Sequence, residues 1–109
     1  MSEKRVLIVE DSRDWQRLVR NILEGAGHTV VGVVDTQIAA VAATREHHPD
    51  VIFMDGELAE GSGLQAAQEI RAFDNSVRII MLSGRDLEFE GVGLKKARLE
   101  IDDLLAAVQ

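Results

Sequence analysis

Cysteine is absent from the 109-residue chain. Disulfides, thiolate metal sites and cysteine nucleophiles are therefore excluded. Long hydrophobic runs are also lacking: the apolar runs, such as those at residues 6–9 and 79–82, are far below the roughly 18 residues of a membrane span. The N-terminal residues lead into only four apolar residues, too few for a signal peptide. We therefore expect a cytoplasmic protein with no membrane insertion.

Basic residues are in the minority, with 12 Lys and Arg against 19 Asp and Glu and a formal net charge of −7. Such an acidic chain does not attract nucleic acid through its overall charge, so we expect no direct nucleic-acid binding. The balance of 46% hydrophobic and 28% charged residues is typical of a globular fold. The length is that of one domain, which we expect to cover residues 1–109.

Short apolar runs that predict strands alternate with segments of helical periodicity. Uninterrupted runs near residues 6–9, 50–54 and 77–82 predict strands buried on both faces. Residues 29–34 form a further strand-like segment, and a weak strand lies near residues 92–95. Strands that alternate with helices imply an α/β fold with a parallel sheet covered on both sides.

The first predicted helix shows how the helical segments are recognised. Its apolar residues recur three and four positions apart, which predicts one buried stripe. Asp11 or Ser12 is the expected N-terminal cap, and Gly25 or Gly27 the expected end. Ser62 is the expected cap of a later helix. The stripe consists of Trp15, Leu18, Val19, Ile22, Leu23 and Ala26. The three histidines, His28, His47 and His48, lie at segment ends, where we expect them in loops or on the surface.

Polar residues follow the predicted strands where each strand ends. Glu10 and Asp11 follow the first strand, Asp55 the third and Ser83 the fourth. In an open parallel sheet these carboxyl ends form the usual ligand site. Three carboxylates brought together repel one another unless a cation is present, and oxygen ligands suit Mg²⁺. A lysine after the weak strand, Lys95 or Lys96, would add a positive charge suited to a phosphoryl oxygen.

The strand-end motifs resemble those of response-regulator receiver domains. The matching segments are Val6-Leu7-Ile8-Val9-Glu10-Asp11, Val51-Ile52-Phe53-Met54-Asp55 and Ile79-Ile80-Met81-Leu82-Ser83-Gly84. The resemblance covers residues 4–84 and resumes at residue 95. It implies a flavodoxin-like, doubly wound fold with a five-stranded parallel sheet of order 2-1-3-4-5.

The resemblance also implies a role for each matching residue. Asp55 would be the phosphoacceptor. Glu10 and Asp11 would hold Mg²⁺ together with Asp55, and Glu57 would contribute its backbone carbonyl. The phosphoryl group would then be bound by the residues that follow the last two strands.

In the same way, Ser83 would hydrogen-bond the phosphoryl group and Lys96 would contact one of its oxygens, with Lys95 as the rival lysine. Glu57 and Arg85 lie two residues beyond Asp55 and Ser83. Their side chains would either flank the phosphoryl group and modulate the access of water, or stay solvated in their loops.

The sequence departs from the receiver pattern after Ser83. Only 13 positions separate Ser83 from Lys96 (96 − 83), where the family has a helix and a strand. The fourth helix is therefore expected to be missing or reduced to a loop. Ala59 and Ala97 stand where the family usually has proline.

The resemblance implies a phosphoacceptor module of a two-component or phosphorelay system. A sensor histidine kinase or phosphotransfer protein would supply the phosphoryl group, and the downstream target is a protein that the sequence does not identify. The module would not be an enzyme beyond assisting its own phosphorylation and dephosphorylation. Two alternatives stay open: a degenerate receiver that is never phosphorylated, and a phosphatase of the haloacid-dehalogenase type, which residues 54–57 and 82–84 also resemble.

Overall fold

The computed structural model describes residues 3–84, 92–96 and 99–109. Strands and helices alternate along most of the chain. In chain order the elements are β1 (Arg5–Val9), α1 (Arg13–Gly25), β2 (Thr29–Val34), α2 (Gln37–His47), β3 (Val51–Asp55), α3 (Gly63–Phe73), β4 (Arg78–Ser83), β5 (Val92–Lys95) and α4 (Ile101–Val108). The five strands form one sheet of order β2-β1-β3-β4-β5, and every pair is parallel. The predicted flavodoxin-like topology is confirmed.

The sheet is covered by helices on both faces, which explains why its central strands are apolar between their terminal residues. Side chains alternate between the two faces of a strand, so neighbouring residues enter different cores. One core lies under α2 and α3 and contains Leu7, Val9, Ile52, Met54, Ala40, Ala66 and Ile70. The other lies under α1 and α4 and contains Val6, Ile8, Phe53, Ile80, Val19, Leu23 and Leu104. Burying each large aliphatic side chain stabilises the fold by about 1.5–3 kcal/mol.

Hydroxyl side chains cap the first three helices at the end nearest the carboxyl edge of the sheet. The Ser12 hydroxyl accepts a hydrogen bond from the Trp15 amide at 3.4 Å. Thr36 caps α2 in the same way, and Ser62 caps α3 as predicted. Since Ser12 rather than Asp11 caps α1, the Asp11 carboxylate is not used for capping.

Two expectations about individual side chains are wrong. His28 is buried, with 5% of its surface exposed, because the chain turns from α1 into β2 beneath the N-terminal segment. Its Nδ1 accepts a hydrogen bond from the Lys4 amide at 3.0 Å. Leu18 belongs to the predicted buried stripe but is 45% exposed, because the packed face of α1 is narrower than the stripe.

The connection between β4 and β5 is short, as predicted. It comprises residues 84–91, fewer than the 10–12 or more that a crossover with a helix usually takes. The expectation that this region is reduced to a loop concerns residues 85–91, which lie outside the described residues. Among the helices that the structure does describe, none is long and apolar enough to cross a membrane.

Candidate functional site

The sheet topology brings three of the predicted polar residues to one edge. Glu10 follows β1, Asp55 ends β3 and Ser83 ends β4, and these three strands are neighbours. All three residues are buried, with 3%, 4% and 4% of their surfaces exposed. Buried polar groups at adjacent strand ends are typical of a ligand site in this fold class.

Glu10, Asp11 and Asp55 form an acidic cluster. One carboxylate oxygen from each residue lies within 4.8 Å of the others. Asp11 is exposed, whereas the other two are buried, so the cluster is open to solvent on the Asp11 side. Hard oxygen ligands at such spacing suit a divalent cation such as Mg²⁺.

Lys96 enters this cluster from the end of β5. Its Nζ lies 2.6 Å from Glu10 Oε1 and 3.3 Å from Asp55 Oδ2, and its side chain is only 14% exposed. Lys95 is exposed to solvent, so Lys96 is the lysine that the structure places at the site. Three ionised carboxylates and one ammonium leave a formal charge of −2 (−3 + 1), which a divalent cation would balance.

Burial raises the pKa of two of the three carboxyl groups in the cluster. Burial raises the pKa of Glu10 to about 7 from its ordinary 4.5, although the Lys96 ammonium and the Ser12 amide act in the opposite direction. Burial also raises the pKa of Asp55, against the lowering by the Glu57 amide and by Lys96. Carboxyl groups shifted in this direction are common at functional sites.

The backbone around Asp55 fixes the direction of its carboxylate. The Glu57 amide donates to Asp55 Oδ1 at 3.1 Å. The Gly63 amide donates to the Gly56 carbonyl at 3.2 Å and so draws the start of α3 against the strand end. This approach requires glycine, because a Cβ atom at Gly63 would lie 2.0 Å from the Asp55 carbonyl oxygen.

Gln16 supports the site but was not among the residues predicted from the sequence, and Ser12, predicted only as a helix cap, also contacts Glu10. The Gln16 side-chain amide donates to the Glu10 carbonyl at 2.6 Å, and the Ser12 amide donates to Glu10 Oε2 at 2.9 Å. The Trp15 ring packs in the core under α1, as its helical spacing predicts, and also lies 5.2 Å from Lys96 Nζ. That separation is within the range of a cation–π interaction. The sequence signal that could have indicated the contact between Gln16 and Glu10 was the position of Gln16, one helical turn after Ser12.

The remaining predicted residues have different outcomes. Ser83 lies at the same edge as Asp55, as expected. Glu57 is exposed, and the bond that the structure shows at Asp55 comes from its backbone amide. Arg85 lies outside the described residues, so the structure does not bear on its predicted position.

Curated relatives of this chain are response regulators. The chemotaxis protein CheY of Bacillus subtilis (strain 168) is 37% identical over 79 residues, which cover 72% of this chain and 66% of CheY. The polar-differentiation response regulator DivK of Brucella ovis is 37% identical over 68 residues, covering 62% of this chain and 54% of DivK. The chain therefore matches between about half and two thirds of the length of these relatives.

Solved structures match almost the whole chain. The receiver domain of a sensor histidine kinase from Pseudomonas aeruginosa PAO1, which has a magnesium ion coordinated in its active-site cleft, superposes with a TM-score of 0.88. It is 28% identical and the match covers 99% of this chain and 96% of that domain. The response regulator domain of Thermotoga maritima CheB gives a TM-score of 0.86 at 25% identity, with 98% and 94% coverage.

The family comparison covers the same part of the chain. The model of the response regulator receiver domain matches residues 6–106, which include every described residue of the acidic cluster and its lysine. The chain therefore belongs to the response regulator receiver domain family, as this match, the sheet order and the relatives show.

Proposed function

We propose that this chain accepts a phosphoryl group on Asp55 from a sensor histidine kinase or phosphotransfer protein and then changes its protein–protein contacts. The observation that carries the proposal is the position of the Asp55 carboxylate, next to two acidic side chains and directly contacted by Lys96. Receiver domains are signalling modules, and we propose that this one only assists its own phosphorylation and dephosphorylation.

Glu10, Asp11 and Asp55 are the residues that would hold Mg²⁺, with the Glu57 carbonyl as a further oxygen ligand. The donor set supports this assignment, because it consists of oxygen atoms and carries excess negative charge. Bound Mg²⁺ would neutralise the charge that otherwise repels an incoming phosphoryl group.

In the proposed reaction, a carboxylate oxygen of Asp55 forms a bond to phosphorus while the bond from phosphorus to the donor breaks. The electron pair of the broken bond leaves with the donor, and Asp55 becomes an acyl phosphate. Lys96 donates from Nζ to a phosphoryl oxygen, and the Ser83 hydroxyl donates to another. The Glu57 and Arg85 side chains are proposed to modulate the access of water to the acyl phosphate.

Incubation with acetyl phosphate and Mg²⁺, followed by intact-mass measurement, tests this function. We expect one added phosphoryl group on the wild-type chain and none on Asp55→Asn. Asp50→Asn is the matched control, because Asp50 lies at the opposite end of β3, and it should be phosphorylated like the wild type.

The degenerate-receiver alternative predicts a different result. A chain that is never phosphorylated would show no adduct and would bind neither Mg²⁺ nor beryllofluoride, which mimics the phosphoryl group. Rapid hydrolysis would also hide an adduct but would leave beryllofluoride binding intact. The receiver assignment leaves no support for the phosphatase alternative. The cytoplasmic location and the single domain over residues 1–109 stay predictions from the sequence.

A further inference from the structure

A groove lies on the side of the molecule where α1 passes beside β2. Its volume is about 490 Å³, and its walls come from one face of α1 and from the end of β2. The residues that line it are Arg13, Gln16, Arg17, Arg20, Val33, Val34 and Asp35. Three of the 12 basic residues of the chain thus gather on one surface of a protein with a net charge of −7.

The positive charge of this groove is only partly neutralised from within the protein. Arg20 pairs with Glu24 at 3.4 Å on the solvent-exposed surface of α1. Across the part of the chain that the structure describes, no carboxylate pairs with Arg13 or Arg17. Asp35, at the end of β2, is the single acidic residue among those that line the groove.

One wall of the groove is the edge of the sheet at Val33 and Val34, and this edge is free only as far as Val34, because the Asp35 carbonyl accepts a hydrogen bond from the Ala59 amide at 3.3 Å. β2 is the terminal strand, and among the described strands it pairs with β1 alone. The pairing register shifts after Val30, so a bulge separates the first part of β2 from residues 32–34. An unprotected edge offers backbone N–H and C=O groups to another extended chain, and this edge carries valine rather than the lysine or proline that blocks such pairing.

We propose that this groove binds a short, extended, acidic segment of a partner protein, which pairs with the outer edge of β2 at Val33 and places its carboxylates on Arg13 and Arg17. Backbone pairing at a sheet edge supplies affinity, and the arginines select acidic segments. A second copy of this chain is the less suitable occupant, because antiparallel β2–β2 pairing would bring two arginine rows together and like charges repel.

The groove is separate from the opening of the acidic cluster, although the two share a wall. The Val34 carbonyl accepts a hydrogen bond from the Glu10 amide at 2.9 Å, and Gln16 lines the groove while it donates to the Glu10 carbonyl. The proposed binding needs no phosphoryl group, so it does not rest on the proposed function of Asp55.

A peptide titration of the full chain, followed by amide NMR, tests the proposal. The probe is a short acetylated peptide that alternates glutamate and valine, and a lysine–valine peptide of the same length is the control. We expect the glutamate peptide to shift the amide signals of β2 and α1 residues in a saturable way. Added salt should weaken the binding, because exposed charges are screened.

Variants then locate the binding surface. Arg17→Glu should weaken binding of the glutamate peptide about tenfold, because it replaces an attraction with a repulsion. Arg45→Glu is the matched control: it makes the same charge change on α2, where Arg45 lies over the Phe73 ring, and should bind like the wild type. The amide spectra also show whether each variant is folded.

Three results would overturn the proposal. The first is that the glutamate peptide leaves the β2 signals unshifted. The second is equal binding of the lysine peptide, or equal weakening by the two variants, which would remove the role of the arginine row. The third is a concentration-dependent shift of the same signals without peptide, together with a dimer in sedimentation, which would make a second copy the occupant.

Discussion

Carboxylates lie at both ends of the sheet, but their surroundings differ: at one end they accept hydrogen bonds in turns, and at the other they are buried together. At the amino end, Asp50 Oδ2 accepts a hydrogen bond from the Arg5 amide at 2.8 Å. Asp74 Oδ1 accepts from the Ser76 amide at 2.9 Å and from the Ser76 hydroxyl at 2.8 Å. At the carboxyl end, Glu10 and Asp55 are buried beside each other and share one lysine.

The pKa values record this difference. The hydrogen bonds from Ser76 lower the pKa of Asp74 below its ordinary 3.8, whereas burial raises the pKa of Glu10 to about 7 and also raises that of Asp55. A carboxylate whose charge is stabilised by hydrogen bonds from neighbouring residues, such as that of Asp74, has a structural role in its turn. A buried carboxylate whose charge is not fully balanced retains an affinity for a proton or a cation. The direction of the pKa shift therefore separates Asp74 from Glu10 and Asp55.

Gly63→Ala should be the most disruptive change at the carboxyl end. The new Cβ would lie 2.0 Å from the Asp55 carbonyl oxygen. Because this oxygen belongs to the backbone, relieving the clash would require the strand end or the start of α3 to shift. We expect the free energy of unfolding, measured with urea, to fall by about 3 kcal/mol. Gly25→Ala is the control, since a Cβ there would meet nothing within 4 Å. Equal stability of the two variants would contradict the tight contact.

The pH dependence of stability should also distinguish the two ends. The pKa of Glu10 is about 7 in the folded protein and 4.5 in its ordinary state, so the folded state binds this proton more tightly. In the metal-free protein, this group should increase the free energy of unfolding as pH falls from about 7 to about 4.5, by on the order of 3 kcal/mol.

Urea unfolding in EDTA at about pH 8 and about pH 5 would measure this gain, and Glu10→Gln should abolish most of it. Asp74 should act with the opposite sign. Because its folded pKa is lowered, its contribution is present above 3.8 and is lost as pH falls through the folded value. An unchanged slope in Glu10→Gln would show that another group causes the gain.

Lys96→Met should sharpen the comparison, because Lys96 is the ammonium that the described structure places among the acids of the carboxyl end. If Lys96 binds the phosphoryl group as proposed, the substitution should slow phosphorylation by acetyl phosphate about 100-fold, as loss of a transition-state donor does. Lys95→Met, which changes the exposed neighbour, should leave the rate near that of the wild type. Equal rates for the two variants would remove Lys96 from the reaction.

Asp74→Ala should have the smallest effect of the four. It removes the acceptor of the Ser76 and Val77 amides at the amino end, and we expect a loss of about 1 kcal/mol in stability. Phosphorylation of Asp55 should be unchanged. A loss of phosphorylation in this variant would mean that the two ends are coupled through the sheet.

The strands and helices could be predicted from the sequence because their signals are local, whereas the order of the strands in the sheet was implied by the resemblance to receiver domains. Apolar runs mark the buried strands, and Ser12 and Ser62 mark helix starts. The same runs end at Glu10, Asp55 and Ser83, and a parallel sheet in which β1, β3 and β4 are neighbours brings these residues together. β5 was also predicted at residues 92–95, as observed.

Side-chain geometry was not available in the same way. The choice between Lys95 and Lys96 depends on which of the two side chains points into the site from the end of β5. The alternation of side chains along a strand does not tell which of two adjacent residues faces the site. The burial of His28 depends on the N-terminal segment that packs against it. The link from Gln16 to Glu10 needs the angle at which α1 leaves the strand end.

The strand order has a consequence for how the protein is made. β1 is translated first, yet its partners β2 and β3 are both synthesised after it. Once residue 55 has left the ribosome, pairing of β1 with β3 can bring Glu10 and Asp55 together, while Lys96 is still 41 residues from being available. Until Lys96 is synthesised it cannot offset the charge of these two acids, which a bound proton or cation would offset instead.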